Sequence, residues 1–139
     1  MRVVTFIVPG QPVAKGRGRV SIRGKHAVVY TPEKTRRYEN QVSAYAAEAM
    51  RNSPPLGGSV EVVVEAFMMV PPSWSLKKRL AAIAGQIKPI TKPDLDNIVK
   101  ALDGMNGIVV VDDSQIVKLT ATKQYSDIPQ LIVTVIGQE

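Results

Sequence analysis

The stretch Lys92-Pro93-Asp94-Leu95-Asp96-Asn97-Ile98-Val99-Lys100 constrains this chain more than any other, because it packs charged groups and an amide into the opening of a helix. Pro93 suits the approach to a helix and biases Lys92 toward extended backbone, while Asp94 is a good N-cap with Asn97 placed three residues on as a capping partner. The helix therefore begins near Leu95. From there Leu95, Ile98, Val99, Leu102 and Met105 recur at helical spacing and form an apolar stripe that must face a core. Asp96, Lys100 and Asp103 step by four and three residues, so they stack on the side turned away from the stripe. Asp94 lies outside the regular helix and can fold back toward Asp96. Asn106-Gly107 reads as a helix stop, followed by a short apolar run at 108–111 and then Asp112-Asp113-Ser114. A strand returning beside the helix brings that second acidic point close to the first pair.

Carboxylates gathered in this way repel. At ~4 Å and an effective dielectric near 20, two of them cost roughly 4 kcal/mol, so such a cluster binds a divalent cation or takes up a proton. Hard oxygen ligands favour magnesium, manganese or calcium, and a carboxylate site that leaves waters on magnesium can activate one for hydrolysis. With no Cys and His26 as the single His, a zinc site of the usual kind is excluded from the expectation. The plain alternative is capping and dipole compensation, for which Asp-x-Asp at a helix start is common. Lys100 on the Asp96 face and Asp112-Asp113 downstream favour the functional reading.

The charge of the whole chain bears on the partner of such a site. Eighteen Lys and Arg against twelve Asp and Glu give a formal charge of +6 and a pI of about 9.7, which points first to nucleic acid. Residues 2–37 hold nine of the Lys and Arg and a single acid, Glu33, whereas five acids fall within 94–113. A chain that separates a basic surface from an acidic patch can attract phosphates and still hold a metal.

The basic residues gather in loops and turns. Gln11-Pro12-Val13-Ala14-Lys15-Gly16-Arg17-Gly18-Arg19 is a Gly-rich basic loop whose Lys15, Arg17 and Arg19 could line a phosphate backbone. Val20-Ser21-Ile22 and Ala27-Val28-Val29-Tyr30 flank Arg23-Gly24-Lys25 as a hairpin with a basic tip, so Arg23 is a further DNA contact. Residues 85–92 form a connector whose Lys88 and Lys92 deliver positive charge to the acidic site. Trp74 is either a staple at the entry of a helix over 75–84 or a wedge for a DNA junction.

Around these lie a largely buried strand at 2–8, a helix opened by Thr31-Pro32-Glu33 and running to about Arg51, and a long strand at 60–70. Residues 115–124 and 131–136 read as a closing hairpin. The order points to an α+β fold, a mixed β-sheet with helices on one face. The length of 139 residues and 45% hydrophobic content fit one domain spanning 1–139. No apolar run is long enough for a signal peptide or approaches the ~18 residues of a membrane span. The expectation is a soluble, cytoplasmic protein with no membrane partner.

The same residues carry a resemblance. Lys92 to Lys100 as quoted, then Asn106-Gly107 and Asp112-Asp113-Ser114-Gln115-Ile116, is similar to the signature of the RusA family of Holliday junction resolvases. Phe6-Ile7-Val8-Pro9-Gly10-Gln11-Pro12, Lys15-Gly16-Arg17-Gly18-Arg19 and Tyr30-Thr31-Pro32-Glu33-Lys34-Thr35 resemble its phage-type branch, in the family's order. The run from Lys100 to Asn106-Gly107 is a residue shorter than the family pattern, which rotates the downstream end of the helix by about a hundred degrees. The resemblance implies a RusA-like fold and a homodimeric endonuclease, dependent on Mg2+ or Mn2+, that nicks four-way DNA junctions symmetrically in recombination and repair. A bacterial or bacteriophage origin is implied with it. It implies Asp94, Asp96 and Asp113 as metal ligands, with Asp112 as the alternative to Asp113, and Lys100 as the catalytic lysine. Two rivals stand beside it: a nuclease of the same chemistry acting on flaps or other branched DNA, and a non-catalytic basic DNA-binding module.

Overall fold

Val60, Val62, Val64 and Ala66 alternate with Glu61, Val63, Glu65 and Phe67, and the first set is fully buried. That alternation makes β4 (Val60–Met69) a central strand with one dry face. The computed structural model describes residues 1–16, 19–24, 26–30 and 32–138, with the backbone alone at Arg19 and Arg23. β4 pairs antiparallel with β6 (Gln130–Gly137) and parallel with β5 (Ile116–Ser126), while β1 (Val3–Pro9) pairs antiparallel with β6. The order β1-β6-β4-β5 is a mixed sheet with β1 and β5 at its edges.

The dry face is covered by helices. α1 (Glu33–Met50) contributes Tyr38, Val42, Ala46 and Met50, and α3 (Leu95–Lys100) contributes Ile98. A 3-10 turn (Ala101–Met105) adds Ala101, Leu102 and Met105, and all of these join Leu131, Val133 and Val135 of β6 in one apolar cluster. At about 1.5–3 kcal/mol for each large aliphatic side chain removed from water, this cluster is the main source of stability. The fold is α+β, a mixed sheet with helices packed on one face, as expected. The hairpin of β2 (Arg19–Arg23) and β3 (His26–Tyr30) forms its own two-stranded sheet. α2 (Leu76–Ile83) is capped by Ser75, whose hydroxyl accepts from the Lys78 amide. Trp74 meets Tyr125 edge-on at 5.4 Å between ring centres and lies 4.0 Å under the Lys78 ammonium, so it anchors the entry of α2 as a staple would. No helix among the described residues is long and apolar enough to cross a membrane.

Four expectations are corrected. β1 is half buried, since Val4, Phe6 and Val8 face the core while Val3 and Ile7 on its other face stay exposed. The run at 108–111 is no strand: Val110 makes only isolated bridges to Leu56 and Asn106. β5 and β6 do not pair as a hairpin, because the more apolar β4 lies between them and takes a neighbour on each side. Their three-residue link, 127–129, crosses the end of β4, a gap of two strand spacings or roughly 10 Å. The α3 helix is also shorter than its apolar stripe, since regular geometry ends at Lys100 and tightens into the 3-10 turn.

The reason for that tightening lies at Gly104. A Cβ there would stand 2.5 Å from the Glu39 carbonyl and 3.2 Å from Val42 Cβ, both on α1. The Ser43 hydroxyl donates to the Gly104 carbonyl at 2.5 Å across the same contact. Backbone here approaches backbone, and only glycine allows it. Gly104→Ala is therefore expected to destabilise the protein by about 1–3 kcal/mol, measured by urea unfolding, with the slope of the transition unchanged.

Candidate active site

Asp94 occupies the N-cap position of α3 with extended backbone, as its sequence context predicts, but its side chain makes no capping hydrogen bond. Its carboxylate is exposed, and so is that of Asp96, the second residue of the helix. Ile98 is fully buried against the core, which turns Asp96 and Lys100 to the outer face. The Lys100 ammonium donates to Asn97 Oδ1 at 3.3 Å. It is thus held along the helix without a salt bridge to a carboxylate among the described residues.

The approach to Asp94 is fixed from below. Lys123 donates through Nζ to the Thr91 carbonyl at 2.8 Å and the Pro93 carbonyl at 3.0 Å. Lys123 pairs in register with Ala66 on the inward face of β5, in the same phase as Ala121 and Tyr125. Sequence reasoning passed over it. The available signal was a lysine in the apolar phase of a strand, which needs carbonyl partners when it turns inward.

The second acidic point is built by a different device. Asp112 caps a 3-10 turn (Asp113–Gln115): its carboxylate accepts from the Ser114 amide at 3.3 Å, and Gln115 Oε1 accepts from the amides of Val111 and Asp112 at 2.8 and 3.1 Å. Gln115 Nε2 also donates to the carbonyls of Leu56 and Gly58, both at 2.8 Å, fastening the turn to the lead-in of β4. The bonds from Ser114 hold the Asp112 carboxyl below the usual carboxylate range. Asp112 is thereby committed to capping. Asp113 is exposed, forms no salt bridge among the described residues, and lines a cleft of about 170 Å³ together with Lys100, Asp103 and Leu119.

Lys100 and Asp113 therefore share one cleft, which lies between α3 with its following turn and the start of β5. Asp94 and Asp96 do not line it. Among the described residues no three Asp, Glu or His side chains stand close enough together to ligate one ion. By donor chemistry Asp94, Asp96 and Asp113 suit a hard dication, being oxygen donors that form no salt bridge among the described residues. By geometry they stand in the single chain as a pair on α3 and a separate third group.

The basic residues divide as well. Lys15, expected to face a phosphate backbone, holds its ammonium 2.9 Å from Asp103 and 3.2 Å from Glu39, while its amide donates to the Asn97 carbonyl at 2.8 Å. Gly16 donates its amide to the buried Thr35 hydroxyl at 2.8 Å, so this part of the loop is tied to α1 and α3 together. Asp103, which an unbroken helix would stack over Lys100, is drawn into the clamp. Lys88 and Lys92 are exposed on the connector before Asp94. Arg17 lies outside the described residues, and the side chains of Arg19 and Arg23 do likewise.

The family profile described as Endodeoxyribonuclease RusA matches residues 9–136, spanning the clamp loop, α3, the Asp112 turn and the whole sheet. The chain belongs to the RusA family of endodeoxyribonucleases. It is also 38% identical over 138 residues to the uncharacterized protein YqaN of Bacillus subtilis (strain 168), covering 97% of this chain and 96% of that protein. The family's nuclease activity gives the uncommitted acids and Lys100 a chemical context that the fold alone does not supply.

The Lys15 clamp can be tested separately from activity. The Asp103 hydrogen bond raises the Lys15 pKa above 10.5, so its stabilisation is full below that value and is lost as pH rises through the raised one. Lys15→Met is expected to lower unfolding free energy by up to about 1 kcal/mol near neutral pH, the groups being partly exposed. The difference from wild type should shrink in urea melts above pH 10.5.

Proposed function

We propose that this chain is a divalent-metal-dependent endonuclease that cuts branched DNA, four-way junctions above all, by hydrolysing a phosphodiester in each of two symmetry-related strands. The observation that carries the reading is that Lys100, one helical turn beyond Asp96, lines one cleft with Asp113, a carboxylate not used for capping. A purely structural acidic turn would need Asp112 alone, and Asp112 already performs the capping.

In this reading Asp94, Asp96 and Asp113 hold Mg2+ or Mn2+, which supplies Lewis-acid polarisation of the phosphate and a water of lowered pKa. Lys100 neutralises charge that builds on the phosphate oxygens in the transition state, and Asn97 keeps its ammonium at the outer face of α3. Lys123 and Gln115 are positioning residues, one for the backbone before Asp94 and one for the turn that carries Asp113. Lys88 and Lys92, with the basic residues of the amino-terminal loop and hairpin, attract the DNA backbone. Cutting two strands across a junction calls for two related sites, which a homodimer supplies.

Charge-neutral substitutions separate these roles. Asp96→Asn is expected to keep junction affinity while single-turnover cleavage in magnesium falls about a hundredfold or more, equivalent to about 2.7 kcal/mol. Cleavage at the wild-type rate would remove the metal-site reading. Asp113→Asn should behave in the same way, whereas Asp112→Asn, which keeps a side chain able to cap, should retain both the fold and cleavage. Comparing junction, flap and linear duplex, each with magnesium or with chelator, decides the substrate class. Light scattering of the active protein checks the dimer, and a fully active monomer would count against it.

A further inference from the structure

The cleft beside Lys100 is built for something other than a phosphate. Val99, Leu102 and Met105 form one wall, and Ile116 with Leu119 forms the other. Leu102 and Met105 are buried, while Lys100, Asp103 and Asp113 are exposed, so the cleft is apolar in depth and charged at its rim. Its volume of about 170 Å³ is well beyond the roughly 30 Å³ of a water. An anionic phosphate would lose its hydration in such a slot without recovering a partner. The ligand that fits carries an apolar flat body, an anionic group within reach of one ammonium, and polar edge groups that meet carboxylates at the rim. A single nucleotide has these parts: faces of the base for the aliphatic walls, donors on its edge for the Asp103 carboxylate at the rim, and its phosphate for Lys100.

We infer that this cleft receives one unpaired nucleobase next to the scissile phosphate, so that cutting requires a nucleotide that has left the base stack. The inference rests on the nuclease reading above and extends it to substrate selection. In an intact duplex every base is stacked and paired, and drawing one out costs a few kcal/mol; at a branch point that cost is smallest. The cleft then selects branched DNA by requiring a base that only such DNA presents cheaply. The adjoining patch of exposed Val111 and Val117 could instead seat a second copy of this chain. The charged rim favours the nucleotide, and the experiment distinguishes the two.

The test places an abasic nucleoside, one position at a time, on each side of the cut in a synthetic junction. At one position the wild-type protein should cleave at least tenfold more slowly, with junction affinity changed by less than about twofold. Leu119→Trp fills the cleft from a side chain that is 47% exposed, so folding is preserved. It should slow cleavage of the intact junction by a similar factor and show no additional loss from the abasic site. A readout independent of cleavage uses 2-aminopurine at the same position. Its fluorescence should rise when Asp96→Asn protein binds, because the walls contain no aromatic quencher, and should not rise with the Asp96→Asn, Leu119→Arg protein, whose longer side chain fills the cleft without adding one. Full wild-type cleavage at every abasic position, or no brightening on binding, overturns the inference even if magnesium-dependent cleavage stands. A shift from dimer to monomer caused by Leu119→Trp also overturns it and assigns the cleft to the second copy. If no DNA is cut under any condition the nuclease reading fails, and the 2-aminopurine signal still decides whether the cleft takes a base.

Discussion

The outer face of α3 is acidic and basic because its inner face is pinned. Ile98 is fully buried and packs with Ala101, Leu102 and Met105 in the cluster that β4 centres. A helix of six residues has little intrinsic stability, so its orientation comes from that burial. Once Ile98 points inward, Asp96 and Lys100 must point outward, and Asp94 stands at the end that faces the loop held by Lys123. Position and chemistry are therefore coupled: a slip of one residue at Ile98 would turn Asp96 into an apolar interior, where an unpaired carboxylate costs several kcal/mol.

The charges around the site sort by whether they have been given structural work. Lys15, Glu39 and Asp103 neutralise one another, Glu33 and Arg37 pair along α1, and Lys118 pairs with Glu61 between strands. Asp112 spends its carboxylate on a cap. Asp94, Asp96 and Asp113 are left without such duties among the described residues. Exposed surface pairs add at most about 1 kcal/mol each, so stability does not demand that these three remain unpaired or that they be acids at all. Their chemistry has to be sought outside folding.

Much of the fold and the site was legible in the sequence wherever the signal was local. Alternation in 60–69 gave the faces of β4, the flanking apolar runs 20–22 and 27–30 marked the hairpin, and the spacing from Leu95 to Met105 gave the buried stripe even though the helix itself stops at Lys100. What escaped was non-local. Nothing near Gly104 reveals that α1 will pass within backbone distance, and the identity of the strand between β5 and β6 depends on competition for central position in the sheet. Lys15 looked like a free basic group because its partners, Glu39 and Asp103, lie 24 and 88 residues away. Of the adjacent Asp112 and Asp113, which the sequence left as alternatives, Asp112 meets the Ser114 amide, a contact that depends on the turn's geometry.

Exposure of the acids explains how the chain can carry them without an ion to fold around. Two carboxylates ~4 Å apart repel by about 1 kcal/mol in water, against roughly 4 kcal/mol at an effective dielectric near 20. On an open surface the pair on α3 is tolerated and Asp113 need not approach it. The same exposure limits the hold that these acids have on a lone dication, since water competes for every ligand position and salt screens what attraction remains. In the proposed nuclease, docked DNA would change both terms at once, displacing water from the face of α3 and bringing phosphate oxygens that are themselves hard ligands. The site of the proposed nuclease would then acquire its strongest field only when substrate covers it.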